Sequence, residues 1–522
     1  MSRRVAFAIL VVAVIPSALI AFYSRDMPSF GWIHDDGLYF VCAKSLAQGA
    51  GYRILSLPGE PFQTKYPPLY PLALSLVWMV NPRFPDNLPL AAALSWVFLP
   101  VLLVLAWRLL PSLGVSRREG AVVCILLGLN PLVILYSVSL MSELPFCCVL
   151  FGCFLLILRA GRPESRWWVA AAAGALGAAA YLTRNAGIPL LIAAPLWLLW
   201  RRRFTAAGLF FVLMAMAVVG WTLWTRAHVA GGANLHLLYY TDYMGYHFAN
   251  FSISETPFVF WENIQEYFPG IGALFALPLG IGGLKEDLFL SVVAVVTLFA
   301  VIRLAVRNGL HPYHFFAALY VALLLPWMLC HNDRAERLLF PVLPLLLAGV
   351  VAEFAQAWRR LVARVSSGSE LSILAAAPAL AVLGFVALLC GMSWISINCH
   401  FPAFMEQWRS EVGETRRAYE WIKARVPPGR TLLAETDPIV YLYTGRRAWR
   451  LTVPPRVVYK GKEGDVTRFI ASAPEVARAQ GASYLVYHTT AKGHVMNGEV
   501  VDPPSGLPLV YQASGTAIYA LD

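Results

Sequence analysis

Long apolar runs separated by short polar connections fill most of this 522-residue chain. A helix needs roughly 20 apolar residues to cross a bilayer, with a range of about 17–25. Runs of this kind recur up to residue 397, which predicts a polytopic α-helical membrane protein with about 11 transmembrane helices. The predicted spans cover residues 5–22, 88–110, 119–138, 144–159, 167–183, 187–200, 204–225, 287–304, 312–330, 338–357 and 371–397.

The pattern changes after the last apolar run. It predicts a membrane domain at residues 1–399, followed in the chain by a soluble α/β domain at residues 400–522. Helical periodicity and turn signals alternate here with short β-branched stretches. The predicted elements are helices at 404–426 and 466–480 and strands at 431–434 and 484–487. No nucleophile motif, phosphate loop or metal spacing is found in this tail, so it is either a lid or acceptor-docking domain, or a stability element.

Composition and charge support the membrane prediction and suggest its orientation. Only 14% of the residues are charged, against about 25% in soluble domains. The formal net charge is +11, and its arginines fall in alternate connections, as the positive-inside rule expects of cytoplasmic loops. We therefore expect a multi-pass plasma (inner) membrane protein with a cytoplasmic N-terminus and an extracytoplasmic tail. Basic clusters interleaved with aromatics on a soluble face are absent, which argues against nucleic-acid binding.

The opposite, outward connections hold most of the unusual polar residues. They include a long first loop at 23–87 and an aromatic loop at 226–286. In the first loop, Asp35 and Asp36 begin a helical pattern that reaches Gln48 and predicts an amphipathic helix on the membrane surface. A favourable helix-dipole position would explain one acid there, but not two. Ionisable groups at membrane depth are functional candidates.

Further outward residues each have a functional and a structural interpretation. Lys65, beside Tyr66, could meet a lipid phosphate or simply extend to the interface. Glu143 could serve a site, or Ser142 and Glu143 could cap the next helix. Cys42 and Cys399, the two cysteines outside apolar runs, could pair, although no spacing pattern supports a disulfide.

Arginines in the outward turns are exceptions to the charge rule and suit an anionic phosphate, which guanidinium binds bidentately. The candidates are Arg184, His331, Arg334 and Arg337. Arg334 or Arg337 could instead pair with a neighbouring acid. In the aromatic loop, Tyr243 and Tyr246 could line a sugar site or belong to an interfacial aromatic belt.

The order of these motifs resembles the GT-C glycosyltransferases, most closely the branch of protein O-mannosyltransferases and lipid A aminoarabinose transferases. The resemblance spans roughly residues 1–400. The matching segments are Asp35-Asp36-Gly37-Leu38-Tyr39, Pro67-Pro68-Leu69, Ser142-Glu143-Leu144-Pro145 and Arg337-Leu338-Leu339-Phe340-Pro341-Val342-Leu343-Pro344. The aminoarabinose branch often has Arg at the place of Leu38 and Lys at the place of Tyr66, whereas Lys65 stands one place earlier.

The resemblance implies an inverting transfer of a sugar from a polyprenyl-phosphate carrier to an acceptor hydroxyl on a glycan, lipid or protein, at the outer face. Asp35 is the expected base, with Asp36 and Glu143 positioning the acceptor or a cation. The donor phosphate would meet Lys65, Tyr66, Arg184, His331, Arg334 and Arg337, and the sugar or acceptor would meet Tyr39, Tyr243 and Tyr246. A divalent cation is optional and no other cofactor is expected. The alternatives are a flippase for lipid-linked saccharides and a ligase for whole glycan chains.

Overall fold

The computed structural model describes residues 3–229, 235–248, 252–275, 284–329, 335–366, 373–460, 464–490, 493–513 and 515–521. Its first part is helical. The helices are α1 (Arg3–Tyr23), α2 (His34–Ala47), α3 (Leu69–Val80), α4 (Leu88–Leu109), α5 (Arg117–Gly128), α6 (Pro131–Ser137), α7 (Glu143–Ala160), α8 (Trp167–Thr183), α9 (Leu190–Trp200), α10 (Phe204–His228), α11 (Leu235–Thr241), α12 (Tyr243–Phe248), α13 (Thr256–Ala273), α14 (Leu284–Asn308), α15 (Pro312–Leu324), α16 (Ala335–Leu339), α17 (Leu343–Ser366) and α18 (Ile373–Ile395).

Within the described ranges, six helices are long and apolar enough to cross a bilayer, or seven if α5 and α6 form one bent span. Several other predicted spans correspond to apolar helices of 10–17 residues, so the number eleven stays a prediction. Large apolar side chains such as Met216, Leu223 and Ile302 remain exposed on these helices. Exposed apolar surface of this extent requires a nonaqueous surrounding, and the chain is a multi-pass membrane protein.

The predicted span at 119–138 is broken rather than continuous. Its two halves, α5 and α6, meet at an angle of 63°. Proline cannot donate the backbone hydrogen bond that would continue α5, and it suits the first turn of a new helix. Pro131 has this position, and the Asn130 side chain accepts hydrogen bonds from the amides of Leu132 and Val133 at 3.0 and 3.2 Å.

Connections rich in arginine meet at one end of the bundle. Arg359 pairs with Glu119 at 2.7 Å. Arg203 Nη1 donates to the Pro163 carbonyl at 3.1 Å, and Ser112 Oγ lies 2.8 Å from His311 Nε2. These contacts join connections that the charge pattern assigns to the same side of the membrane.

The first long loop forms a compact layer at the opposite end. Helix α2 has the predicted position, but it is buried along most of its length, including Leu38 and Val41. The prediction of an amphipathic helix on the membrane surface is therefore wrong. Helix α3 packs against one side of α2, where Trp78 Nε1 donates to the Phe40 carbonyl at 3.0 Å, and other parts of the chain cover the remaining sides.

A long helix leads from the membrane to the C-terminal part. Helix α18 continues through a π-helical turn, Ser396–His400, into α19 (Phe401–Arg425), so that residues from Ala377 to Arg425 form one helix of 49 residues. The predicted boundary at 399/400 falls inside this helix. Cys399 at the turn and Cys42 in α2 are both free thiols.

The C-terminal part is α/β, as predicted. Its further helices are α20 (Asp437–Thr444), α21 (Pro455–Lys460), α22 (Asp465–Ala471) and α23 (Ala473–Ala479), so the predicted helix at 466–480 is two helices. Its strands are β1 (Leu432–Leu433), β2 (Ala448–Trp449), β3 (Tyr484–Thr490), β4 (Gly493–Met496), β5 (Glu499–Val501), β6 (Leu509–Ala513) and β7 (Thr516–Ala520). Strand β3 pairs in parallel with β1 and antiparallel with β4 and β7.

The C-terminal part and the first loop share one hydrophobic core. Phe40 and Leu74 from the loop pack in the same cluster as Ile422, Ile439 and Ile518 from the C-terminal part. A shared core of this kind resists separation, because pulling the two parts apart would expose apolar surface to water. The α/β part is therefore fixed above the loop that carries the two acids.

Candidate active site

Asp35 lies in the first turn of α2 and is buried. Its Oδ1 accepts a hydrogen bond from the Tyr66 hydroxyl, and its Oδ2 pairs with Arg337 Nη2. The Tyr66 hydroxyl thus donates to Asp35 in this structure. That Tyr66 contacts the donor phosphate stays a prediction. Helix α2 and the segment before α3 thus bring Asp35 and Tyr66 together.

Arg337 joins Asp35 to Glu143. Its Nε donates to Glu143 Oε1 at 2.8 Å, and Arg184 Nη1 reaches the same oxygen at 2.7 Å. Residues from three predicted outward turns therefore converge on one point. The alternative pairing of Arg337 with a neighbouring acid in its own turn is not needed to explain its position.

Ser142 takes part in this cluster and does not cap helix α7. Its side chain makes no capping hydrogen bond. Instead, Ser142 Oγ accepts from Arg184 Nη1 at 3.0 Å and lies 3.2 Å from the Tyr39 hydroxyl. The helix-capping interpretation of Ser142 is therefore wrong, and Tyr39 belongs to the cluster around Arg184.

The electrostatics keep Asp35 ionised. Burial alone would raise the pKa of Asp35, but Arg337 and Lys65, together with the hydrogen bond from Tyr66, hold it well below its ordinary value. A neighbouring cation and a hydrogen bond to the charged form both favour the carboxylate. The free protein therefore holds a paired carboxylate at this position.

Asp36 faces the backbone rather than Arg337. Its carboxylate accepts hydrogen bonds from the amide of Gly31 at 3.0 and 3.1 Å and from the amide of Gly37 at 2.5 Å. Burial raises the pKa of Asp36 well above its ordinary value, and these amide hydrogen bonds oppose the shift. The two adjacent acids thus have different surroundings, and Asp36 holds together the loop that positions Asp35.

Lys65 is buried among aromatic rings. Its Nζ lies 3.6 Å from the ring centroid of Tyr239, 4.1 Å from that of Tyr243 and 4.9 Å from that of Tyr66. A desolvated ammonium over aromatic faces is held by cation–π attraction. Lys65 is therefore fixed near Asp35, and the interpretation that it extends to the membrane interface is wrong.

The aromatic loop packs under the C-terminal part. Tyr246 is buried, and its hydroxyl donates to the Val453 carbonyl at 2.6 Å. Tyr243 contacts Lys65, and its ring centroid lies 5.5 Å from that of Trp327. Both tyrosines contact other protein groups, and Tyr246 also lines the cavity beside Asp35. The belt interpretation therefore does not apply to them.

A buried carboxylate missed by the sequence reasoning connects the C-terminal part to this site. Asp437, at the start of α20, lies 2.7 Å from His34 Nε2 and accepts from the Tyr240 hydroxyl at 2.5 Å and from Ser56 Oγ at 2.8 Å. Burial and Arg450 lower the pKa of His34, so its ring is neutral at pH 7 despite Asp437. The Asp-Pro pair that opens α20 was the available sequence signal, since it is a common helix start.

A cavity of about 710 Å³ opens beside the acid–arginine cluster. Asp35 and Arg337 contribute to one wall, α19 to a second and the strand region of the C-terminal part to a third. Its volume falls within the roughly 300–1,000 Å³ typical of pockets that hold small ligands. Asp35 is thus the acid of the pair that reaches this cavity.

No protein-family model and no curated protein sequence matches the chain. Among solved structures, it is similar to the archaeal oligosaccharyltransferase AglB from Archaeoglobus fulgidus in complex with an inhibitory peptide and a dolichol-phosphate. The TM-score is 0.53 and the sequence identity is 11%, and the alignment covers 92% of this chain and 69% of the archaeal one. The chain has the GT-C fold. The same archaeal enzyme with Zn and sulfate gives a TM-score of 0.53 at 12% identity, over 92% and 68% of the two chains. The comparison with ArnT from Cupriavidus metallidurans bound to undecaprenyl phosphate gives a TM-score of 0.47 at 16% identity, and the alignment covers 98% of each chain.

The GT-C fold of this chain explains why its acids and arginines meet. In the described residues, Asp35, Lys65, Arg184 and Arg337 all come from loops or helix ends at one end of the bundle. His331 and Arg334 lie outside the described residues, so the predictions for them stay predictions.

In the described part of the chain, the acids of the site are bound to an arginine rather than grouped as metal ligands. Among the residues described, no three His, Cys, Asp or Glu side chains converge. Asp35 and Glu143 each bind Arg337, whose positive charge would repel a cation. The optional divalent cation therefore stays a prediction.

Proposed function

We propose that this protein transfers a sugar from a polyprenyl-phosphate carrier to an acceptor hydroxyl at the extracytoplasmic face of the membrane. The observation that carries the proposal is the convergence of Asp35, Glu143, Arg184 and Arg337 beside a cavity. A base and a set of cations are what this reaction needs, because a proton leaves the acceptor while negative charge develops on the phosphate.

The charges of the cluster suit a phosphodiester. Lys65, Arg184 and Arg337 carry positive charge, and Asp35 and Glu143 carry negative charge. The excess of one cation matches the single negative charge of a sugar phosphodiester. Guanidinium also binds phosphate oxygens bidentately. The archaeal enzyme of the same fold holds a dolichol-phosphate, and a lipid phosphate of this class is the donor we propose here.

The acceptor hydroxyl attacks the anomeric carbon, and its proton passes to Asp35. The bond between that carbon and the phosphate oxygen breaks on the opposite side, and the phosphate leaves with the electron pair, so the anomeric centre inverts. Lys65 and the two arginines stabilise the departing charge. Asp35 becomes a stronger base as the phosphate draws Arg337 away from it, since Arg337 lowers the pKa of Asp35.

The proposed orientation rests on the two ends of the bundle. The connections around Arg359, Arg203 and His311 meet at one end, which is cytoplasmic by the positive-inside rule. The acid–arginine cluster and the C-terminal part lie at the other end, where the acceptor is reached. Residues 1–399 form the catalytic membrane domain in this proposal, and residues 400–522 form an extracytoplasmic domain above it.

Reconstitution into proteoliposomes with labelled polyprenyl-phosphate sugars tests the proposal. We expect Asp35→Asn to abolish transfer while the protein folds normally, and Asp26→Asn, an exposed acid of the same loop, to retain it. Normal turnover by Asp35→Asn would refute the assignment of the base. Translocation of the donor without transfer would indicate a flippase, and use of only lipid-linked oligosaccharides would indicate a ligase.

A further inference from the structure

The cavity beside Asp35 is formed jointly by the membrane domain and the C-terminal part. From the first loop come Trp32 and Asp35, from α19 comes Trp408, and from the strand region come Thr490 and Asn497. An occupant would therefore touch the proposed base and the C-terminal part at the same time. In the proposed reaction that occupant is the acceptor, because the lipid part of the donor must remain in the membrane.

Among the described residues, the walls of the cavity carry more negative than positive charge. The described lining residues include five carboxylates, of Asp35, Glu336, Glu411, Glu414 and Glu435, and two guanidiniums, of Arg337 and Arg450. A cleft lined by one sign of charge concentrates ligands of the opposite sign and repels those of the same sign.

Carboxylates of this chain act on both guanidiniums, on Arg337 by direct contact and on Arg450 from a longer distance. Arg337 is bound by Asp35 and Glu143. Arg450 Nη1 donates to the Tyr239 hydroxyl at 3.5 Å, and the carboxylates of Glu435 and Asp437 attract Arg450 without a direct ion pair. An acceptor phosphate would therefore have to compete for Arg337 with its two carboxylate partners and with the donor phosphate. At Arg450 it would lie near the carboxylates of Glu435 and Asp437, which repel it. A phosphate-bearing acceptor would enter a cavity of its own sign of charge.

Aromatic rings and neutral polar groups complete the cavity. Trp32 and Trp408 stand together, with ring centroids 6.0 Å apart. Thr452, Thr489 and Thr490 add hydroxyl groups along the C-terminal wall. Aromatic faces pack against the C–H surfaces of sugar rings, while carboxylates and hydroxyls hydrogen-bond to sugar hydroxyls.

We propose that this cavity binds a saccharide acceptor that is uncharged or carries an amino group, and that it discriminates against acceptors bearing phosphate. The inference rests on the proposed function and adds the chemical class of the acceptor. It also assigns half of the acceptor site to the C-terminal part.

Binding to the full-length protein in nanodiscs tests this inference without turnover. The probes are a neutral trisaccharide, the same trisaccharide with one amino group, and the same trisaccharide with one phosphate monoester, and the signal is tryptophan fluorescence. We expect the first two to bind about tenfold or more tightly than the phosphorylated one, and the difference to shrink at about 1 M salt as charges are screened. Equal or tighter binding of the phosphorylated probe would overturn the proposal.

Variants locate the discrimination. The triple variant should reduce the difference in affinity between the neutral and phosphorylated probes; its substitutions are Glu411→Gln, Glu414→Gln and Glu435→Gln. The single substitution Glu435→Gln should reduce this difference by a smaller amount. Glu420→Gln is the matched control, because Glu420 is exposed on the same helix α19 and does not line the cavity. Unchanged discrimination in both cavity variants would contradict the inference.

A failure of the proposed function gives a different result. If the protein turns over no polyprenyl-phosphate sugar, even by transfer to water, then the reaction is wrong while the binding preference can still be measured. If it turns over the donor but prefers phosphorylated acceptors, then the reaction stands and the acceptor class is wrong.

Discussion

His34 Nε2 lies 2.7 Å from Asp437 Oδ1, although the two residues are 403 positions apart in the sequence. His34 immediately precedes the proposed base, and Asp437 opens a helix of the C-terminal part. Gly31 and Gly37, whose amides bind Asp36, also lie directly beneath Ile439 of that helix. The C-terminal part therefore supports the acid-bearing loop by a buried hydrogen bond and by close packing.

The Asp437→Asn substitution tests the polar part of this support. An amide cannot accept all three hydrogen bonds from His34, Ser56 and Tyr240, and an unsatisfied buried group costs about 1–3 kcal/mol. We expect a loss of about this size in the free energy of unfolding, together with reduced transfer. Chemical unfolding in detergent and the transfer assay measure the two effects. The control is Asp465→Asn, whose side chain pairs with exposed Arg468 and should change stability by less than about 1 kcal/mol. Equal stability and activity of the two variants would contradict the prediction.

The Gly37→Ala substitution tests the close packing. An added Cβ would lie 2.9 Å from Ile439 Cδ1 and 3.0 Å from Pro438 Cβ, and overpacking of this kind costs about 1–3 kcal/mol. We expect lower stability and lower transfer, with partial recovery when Ile439→Ala is added. Thermal unfolding and initial rates provide the measurements. Gly413→Ala is the matched control, since nothing lies within 4 Å of its added Cβ and alanine favours a helix by about 0.8–1.0 kcal/mol. An unimpaired Gly37→Ala protein would show that the packing has no role in the site.

The Arg337→Lys substitution tests the bridge between Asp35 and Glu143. An ammonium retains the charge but cannot reproduce the two contacts made by Nε and Nη2. Loss of one preorganised donor at developing charge lowers kcat by about 100–1,000-fold, and we expect a decrease in this range. Arg359→Lys is the control, because its ion pair with Glu119 lies at the other end of the bundle and its side chain is 64% exposed. Comparable kcat values for the two variants would remove Arg337 from the proposed reaction.

The pH dependence follows from the lowered pKa of Asp35. Burial alone would raise this pKa, but Arg337, Lys65 and Tyr66 lower it. Because the pKa of Asp35 is lower in the folded than in the unfolded protein, the ionised form stabilises the fold at pH values above the unfolded pKa of about 3.9. This stabilisation is lost as the pH falls through the folded pKa. We therefore expect no decrease in kcat/KM due to Asp35 between about pH 8 and pH 5.

The Tyr66→Phe substitution should shift the protonation of Asp35 to higher pH. It removes a hydrogen bond to the carboxylate, so the pKa of Asp35 rises and any acid limb in kcat/KM shifts upward. A pH–rate profile measures the shift, with the exposed Tyr23→Phe as control. If the acid limb of kcat/KM is at the same pH in Tyr66→Phe as in the unmodified protein, then that limb does not report the protonation of Asp35.

The pattern of apolar runs was enough to predict the helical membrane class and an α/β tail. Local composition determines these features, because a bilayer requires apolar helices and a soluble tail does not. The outward turns with Glu143, Arg184 and Arg337 were also identified from sequence, because charged residues in such turns are exceptional. Their convergence needed the structure, since no local rule relates residues that lie far apart in the chain.

The sequence by itself thus determined the class of the protein and most members of the acid–arginine cluster. Only the tertiary structure decided that Asp36 binds backbone amides while Asp35 meets Arg337, and that Asp437 belongs beside His34. Two adjacent carboxylates have the same intrinsic chemistry, so their surroundings alone distinguish them. Those surroundings come from packing the first loop against the C-terminal part, which depends on long-range contacts that local patterns do not record.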